Sequence, residues 1–374
     1  MREKNEEQTK REAPRHVLPR FKIAGECVSI GPYGTGHIND TYLCLFQEKS
    51  GPTRYILQRI NRHVFQEPEK LMTNIERVTA HVRGKIVAAG GDVTRETLNL
   101  IPAVTDRSYY RDAQGEYWRM YRFIAGAHTY DQVKNTEMVY EAGRAFGKFV
   151  SQLEDLDGGT LHCPIPDFHH LEKRVQAFVR ALDKDRYNRS QAAKSEISFV
   201  QQRAADASRL LDLQRQGLAR ERIIHNDTKF NNVMIDDRSG RGLCVIDLDT
   251  VMPGLPLYDF GDAVRSCVST AAEDERDLSR VGIDTRRFGE MTRGYLETVR
   301  DFLTAAEVDH FSWAALAMTF ECGLRFLTDF LEGDLYFKTR REAHNLDRCR
   351  TQFKMVAEME RQKDALDKIV ARYR

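Results

Sequence analysis

The chain has 374 residues, with 57 lysines and arginines against 56 aspartates and glutamates and a formal net charge of +1. That balance argues against a function resting on a whole-protein basic field, such as non-specific nucleic-acid binding, and 41% hydrophobic with 30% charged residues is the make-up of a globular chain. Seven scattered cysteines with no C-x-x-C pair point away from a disulfide framework or structural zinc and toward a reducing cytoplasm.

Residues 1–18 are dense in charge of both signs, lack a signal-peptide stretch, and read as a flexible tail outside the fold. From 19 to 124 the texture is that of strands: 27–30, then a glycine-rich turn, 41–46 and 54–60, with Gly51-Pro52 as the turn between the last two. Leu71, Ile75, Val78 and Val82 recur every three or four residues and predict a helix over 67–88. Further strands are expected at 98–104, 107–111 and 117–124. After Gly126 the period becomes helical, over 134–154, 168–184, 194–217, 283–303, 306–331 and 345–371, interrupted by a strand-rich insert at 222–250. The most apolar of these, 311–327, carries Glu321 and Arg325 and is too short and polar to span a bilayer. The order is an α+β one, with a small β-rich lobe over 19–124 and a larger helical lobe over 125–374.

The insert holds the chemistry. His225-Asn-Asp227-Thr-Lys-Phe-Asn-Asn232 has the pattern H-x-D-x-x-x-x-N, and twenty residues past Asp227 comes the apolar strand Val245-Ile-Asp247-Leu-Asp249. Phosphoryl transfer needs a carboxylate to orient the acceptor hydroxyl, and oxygen ligands for the cation that bridges nucleotide phosphates. Each piece alone has a plain alternative, since Asp227 and Asn232 could cap a turn and two strand-end carboxylates could face solvent. Their combination downstream of a β-rich lobe favours the kinase chemistry.

These motifs resemble those of the aminoglycoside phosphotransferase/choline kinase group, small-molecule kinases with a protein-kinase-like bilobal fold. Within it the wording is most similar to the N-acetylhexosamine 1-kinases, through Gly34-Thr-Gly-His-Ile-Asn-Asp-Thr-Tyr42, Tyr55-Ile-Leu-Gln-Arg-Ile-Asn61, Ile246-Asp-Leu-Asp-Thr-Val-Met-Pro-Gly254, Tyr258-Asp-Phe-Gly-Asp262 and Asp334-Leu-Tyr-Phe-Lys338. The resemblance implies Asp227 as catalytic base, His225 as a buttress of its loop, Asn232 and Asp247 as Mg²⁺ ligands, and Asp259 as a residue holding the loop. Asp249 would be an outer ligand at most. Asn226 stands where many relatives have glycine. Asp259 follows Asp247 by only twelve positions, which leaves no room for the activation segment with which protein kinases bind peptides.

The segment Gly34-Thr35-Gly36 offers backbone amides to the phosphates of ATP, although it is neither G-x-G-x-x-G nor a Walker loop and could be a plain hairpin turn. His37 and Asp40, just beyond it, are assigned to the sugar. On the third strand the apolar pattern does not decide between Gln58 and Arg59. Arg59 is the assigned phosphate contact with Glu76 as its partner, against the alternative of two solvated side chains. Met120 to Ile124, at the end of the β-rich part, would line the adenine pocket.

Toward the C-terminus, Glu321, Arg325 and Asp329 share one helix face. They could form a salt-bridge ladder in solvent, or Arg325 could donate to sugar hydroxyls with the Tyr336 phenol beside it, as the resemblance implies. The expected activity is ATP- and Mg²⁺-dependent phosphorylation of the C1 hydroxyl of a free N-acetylhexosamine, in a cytoplasmic protein that needs neither nucleic acid nor membrane, with a monomer favoured and the oligomeric state left open by the sequence. Kinases of choline, homoserine or aminoglycosides are the nearest alternatives, and the basic run over 338–350 disfavours the cationic ones. A catalytically silent nucleotide-binding module is the reading from another class, opposed by the intact Asp227, Asn232 and Asp247.

Overall fold

The computed structural model describes residues 14–34, 36 and 38–374, and the chain divides into two compact units that meet at the Ala125–Gly126 peptide. In the first unit, strands β1 (Glu26–Pro32), β2 (Asp40–Glu48), β3 (Gly51–Ile60), β4 (Tyr109–Arg111) and β5 (Tyr117–Arg122) form one antiparallel sheet in the order β1-β2-β3-β5-β4. Its faces differ. Tyr42, Cys44, Leu57, Trp118 and Met120 make an apolar core on one side. Helix α1 (Pro68–Ala88) belongs to the other, where the Tyr117 hydroxyl donates to Glu69 at 3.0 Å. All four periodic residues of α1, Leu71, Ile75, Val78 and Val82, are buried, as the spacing requires.

Two sequence expectations need correction here. Residues 14–18 are not a tail: a 3₁₀ segment, Arg15–Arg20, places Val17 and Leu18 in the sheet core beside Phe21. These apolar side chains are hard to see among the surrounding charges, yet two such residues suffice to anchor a turn. The strand expected at 98–104 is reduced to single bridges, Leu100 with Tyr121 and Ala103 with Phe21. Pro102 lacks the N–H that a continuous ladder there would use.

The second unit is helical around small sheets. Its elements are β6 (Ala127–His128), α2 (Thr136–Gln152), α3 (Leu171–Lys184), α4 (Lys194–Arg203), α5 (Arg209–Arg215), β7 (Arg222–Ile224), β8 (Val233–Asp236), β9 (Gly242–Val245), β10 (Met252–Gly254), α6 (Pro256–Val268), α7 (Thr285–Val299), α8 (Ala305–Asp309), α9 (Phe311–Leu331), α10 (His344–Arg361) and α11 (Lys363–Tyr373). Strands β7 and β10 pair, and β6, β8 and β9 form a second sheet. Three long predicted helices are broken, at 204–208, at His310 and at Gln362. Helix α6, hidden behind a run of loop-like prolines and glycines, packs against α9. A Cβ on Gly261 would lie 2.4 Å from the Ala314 carbonyl, so only glycine permits the approach. Among the described residues no helix is long and apolar enough to cross a membrane.

Candidate active site

The loop after β7 is fixed by its own backbone. Asp259, in the first turn of α6, accepts from the His225 amide at 2.8 Å and the Asn226 amide at 2.7 Å, one carboxylate oxygen for each. It is wholly buried, and that burial pushes its carboxyl up to about 6 despite the two amides and the nearby His225 ring. Asn226 adopts a left-handed conformation (φ 64°), which asparagine tolerates better than most residues. Its side chain donates to the carbonyls of Thr250 at 3.0 Å and Met252 at 3.2 Å. The His225 ring bridges the other side, with Nε2 donating to the Ile246 carbonyl at 2.9 Å and Nδ1 accepting from the Asp227 amide at 3.2 Å. His225 thus ties the loop of Asp227 to the strand end that carries Asp247.

Around Asp227 two side chains converge. Asn232 donates from Nδ2 to the Asp227 carbonyl at 2.7 Å and to its carboxylate at 3.3 Å. The Lys229 ammonium lies 2.9 Å from the same carboxylate oxygen. Burial alone would raise the Asp227 carboxyl, but Lys229 outweighs it and holds the group below the ordinary aspartate value. Burial likewise disfavours the Lys229 ammonium, and the carboxylates of Asp227 and Asp247 reverse that, raising its pKa. The Ile246 amide donates to the Asn232 carbonyl at 2.9 Å, extending the Val233–Val245 pairing of β8 and β9. Asp247 follows directly, exposed and left-handed (φ 61°). The Asn232 nitrogen is committed to Asp227, and the Asn232 side-chain oxygen and the Asp247 carboxylate are a pair of oxygen donors carried on neighbouring ends of the β8–β9 ladder. Such a pair suits Mg²⁺, which takes one or two protein ligands and completes its shell with phosphate and water. Asp249 is buried in the next turn.

On α9, Glu321 and Asp329 are buried, so no ladder runs in solvent. Asp329 instead accepts from the amides of Leu335 (2.9 Å), Tyr336 (2.7 Å) and Phe337 (2.9 Å) and from the Asn345 side chain (2.9 Å), shaping the segment after the helix. That segment brings Tyr336 to Arg325. The Arg325 guanidinium lies 5.2 Å from the Phe168 ring, 5.8 Å from Tyr336 and 5.5 Å from Phe337. Burial disfavours its charge, while Tyr336, Glu321 and, more weakly, Asp227 favour it, so its pKa stands above the ordinary arginine value. Arg174, whose own pKa is lowered by burial and by Arg325, donates to the Phe168 carbonyl at 2.6 Å.

The residues expected at the nucleotide are placed unevenly. Gly34 is left-handed (φ 79°), and a Cβ at Gly34 or Gly36 would meet nothing within 4 Å, which leaves backbone exposed for a ligand. Thr35 and His37 lie outside the described residues. The expected Arg59–Glu76 pair does not form. Arg59 stands opposite Asp40 in the β2–β3 register and donates from Nε to it at 2.9 Å, on the sheet face away from α1. Glu76 is exposed on α1. Gln58 takes the α1 face with buried Arg119, whose Nε donates to it at 2.9 Å. Asp40 is therefore occupied by an arginine rather than pointed at a free ligand position. Met120 is a core residue whose carbonyl accepts from the Ile101 amide at 2.8 Å, and Ile124 is also buried.

Residues 29–292 match the APH model, described as a phosphotransferase enzyme family. The chain belongs to this family. The match spans the glycine turn, His225, Asp227, Asn232, Asp247 and Asp259, and ends before α9. Among solved structures the phosphotransferase is similar to an aminoglycoside phosphotransferase from Alicyclobacillus acidocaldarius subsp. acidocaldarius, at 11% identity and a TM-score of 0.63, covering 96% of this chain and 97% of that one. It is also similar to a microcompartment-associated aminopropanol kinase (16% identity, TM-score 0.56, 94% and 97% covered). A choline kinase from Cryptosporidium parvum Iowa II gives 13% identity and a TM-score of 0.54, with 91% of each chain covered. These likenesses establish the protein-kinase-like fold.

Three features of this phosphotransferase escaped the sequence. Lys229 sits two residues after Asp227, a cation beside a carboxylate that the spacing alone could have flagged. The Asp329 nest joins a helix to amides six to eight residues onward, which no side-chain pattern announces. His169 meets Glu321 across 152 residues of sequence.

Proposed function

We propose that this phosphotransferase is an ATP- and Mg²⁺-dependent small-molecule kinase that phosphorylates the C1 hydroxyl of a free N-acetylhexosamine. The observation that carries the acceptor class is Arg325. Three aromatic rings that could have enclosed a quaternary ammonium already surround a guanidinium, with Arg174 beside it. A cationic acceptor such as choline or an aminoglycoside would meet like charge there. A neutral polyhydroxyl compound instead finds the donors of Arg325 and the Tyr336 phenol, and an acetamido oxygen is a fitting acceptor for the former.

Within this reading Asp227 orients O1 and takes its proton as O1 attacks the γ-phosphorus, with ADP as leaving group. An anomeric hydroxyl is more acidic than an ordinary alcohol, so a carboxylate held ionised by Lys229 is a sufficient base. Lys229 also sets positive charge where the transferred phosphoryl group passes. Asn232 and Asp247 would hold Mg²⁺, which when bound neutralises charge on the phosphates. His225 and Asp259 keep the loop in register, and the open backbone at Gly34 and Gly36 is offered to the phosphates. Release of ADP with N-acetylglucosamine or N-acetylgalactosamine, and none above background with choline, ethanolamine or homoserine, is the result that supports this reading. Turnover confined to the amino alcohols would replace it.

A further inference from the structure

His169 precedes α3 and is assigned to no step so far. Its Nε2 lies 2.8 Å from the Asn226 carbonyl, and its Nδ1 lies 3.2 Å from both carboxylate oxygens of Glu321. A carbonyl and a carboxylate are both acceptors, so both ring nitrogens donate and the ring is an imidazolium. The energetics agree: burial opposes the charge, but Glu321 overcomes it and raises the His169 pKa, while Glu321 itself is held below the ordinary value against its own burial. On one side the His169 ring grips the carbonyl of the residue immediately before Asp227. On the other it grips a carboxylate one helical turn from Arg325. The neighbouring Phe168 ring packs on His169, at 4.5 Å between centroids, and lies under the Arg325 guanidinium.

We propose that His169, bridging the Asn226 carbonyl and Glu321, is a positioning residue that sets the base loop against the acceptor-holding face of α9. The Asn226 amide and side chain are already fixed by Asp259, Thr250 and Met252, so its carbonyl is the one backbone group of that residue through which α9 can act. A shift of about 1 Å between a base and its acceptor can cost on the order of a hundredfold in rate. The inference rests on Asp227 as base and on the Arg325 face as the acceptor site.

The test is steady-state kinetics of His169→Gln, Glu321→Gln and the double variant, with the acceptor that the wild-type enzyme turns over best. Each single change should lower kcat by about 10- to 100-fold while the KM values for ATP and acceptor stay within about threefold. The double variant should be little worse than the more damaged single one, because both remove one linkage. Wild-type-like kcat in either single variant, or multiplied effects in the double, overturns the proposal. A general rise in both KM values with a fall in melting temperature also overturns it, since that is the mark of a merely structural pair. If His169→Gln does not fold, Glu321→Gln, which conserves volume, decides alone through the same split between kcat and KM. Absence of hexosamine turnover by the wild type would instead count against the proposed acceptor and leave this comparison to be run on whichever alcohol is phosphorylated.

Discussion

Asp259 receives the backbone N–H groups of both His225 and Asn226, one on each carboxylate oxygen. The loop that carries Asp227 is therefore shaped by an acid that itself lies out of reach of solvent. Replacement by asparagine would turn an NH₂ group toward one of those donors. Asp259→Asn is expected to destabilise the second unit by about 2–4 kcal/mol and to abolish most activity, measurable by urea unfolding and ADP release.

The same residue gives a pH signature. Its carboxyl is raised from 3.8 to about 6 in the fold, so between those values the native state holds a proton that the unfolded state has released. Stability contributed at Asp259 is therefore greatest below pH 3.8, falls as pH rises to 6, and is flat above. The stability difference between wild type and Asp259→Asn should shrink by a few kcal/mol, on the order of 3, across that window. A difference that grows with pH would contradict the assignment.

Lys229 is predicted to act on chemistry rather than binding. Lys229→Met removes the cation 2.9 Å from the Asp227 carboxylate. It should lower kcat by about 10²–10³-fold with a smaller change in the KM for ATP. Steady-state kinetics with both substrates varied would check the split.

Arg325→Lys keeps a charge but loses the planar fork set among Phe168, Tyr336 and Phe337. The acceptor KM should rise by about 10- to 100-fold while that for ATP is unchanged. Asp329→Ala, which frees the amides of 335–337, should act in the same direction through Tyr336.

In the first unit the two arginines should behave oppositely. Arg59 and Asp40 are partly exposed, so Arg59→Ala should cost less than about 1 kcal/mol and leave the KM for ATP nearly unchanged. Arg119 is buried and bonded to Gln58, and Arg119→Ala should cost about 3 kcal/mol by thermal or urea unfolding.

What could be read from the sequence follows the range of the forces involved. The helix over 68–88 and the β2–β3 hairpin declare themselves through local periodicity and turn residues, and His225, Asp227, Asn232 and Asp247 through spacing within one short insert. The partner of Arg59 was misassigned because alternation in β3 is ambiguous where Gln58 and Arg59 are both half-buried. Only the β2 register, which sets Asp40 opposite Arg59, resolves it. His169 with Glu321, and Asp329 with the amides of 335–337, are contacts of buried polar groups whose partners are chosen by tertiary packing. Val17 and Leu18 were lost for the opposite reason, since their charged neighbours dilute any local signal.

The most direct test mixes ATP, Mg²⁺ and N-acetylglucosamine or N-acetylgalactosamine with the wild-type enzyme and with Asp227→Asn, following the product by ³¹P NMR. The account predicts an anomeric sugar phosphate with the wild type and a loss of at least about 10³-fold in turnover, with ATP still bound, in the variant. Phosphate on another hydroxyl, or near-normal turnover by Asp227→Asn, would contradict it.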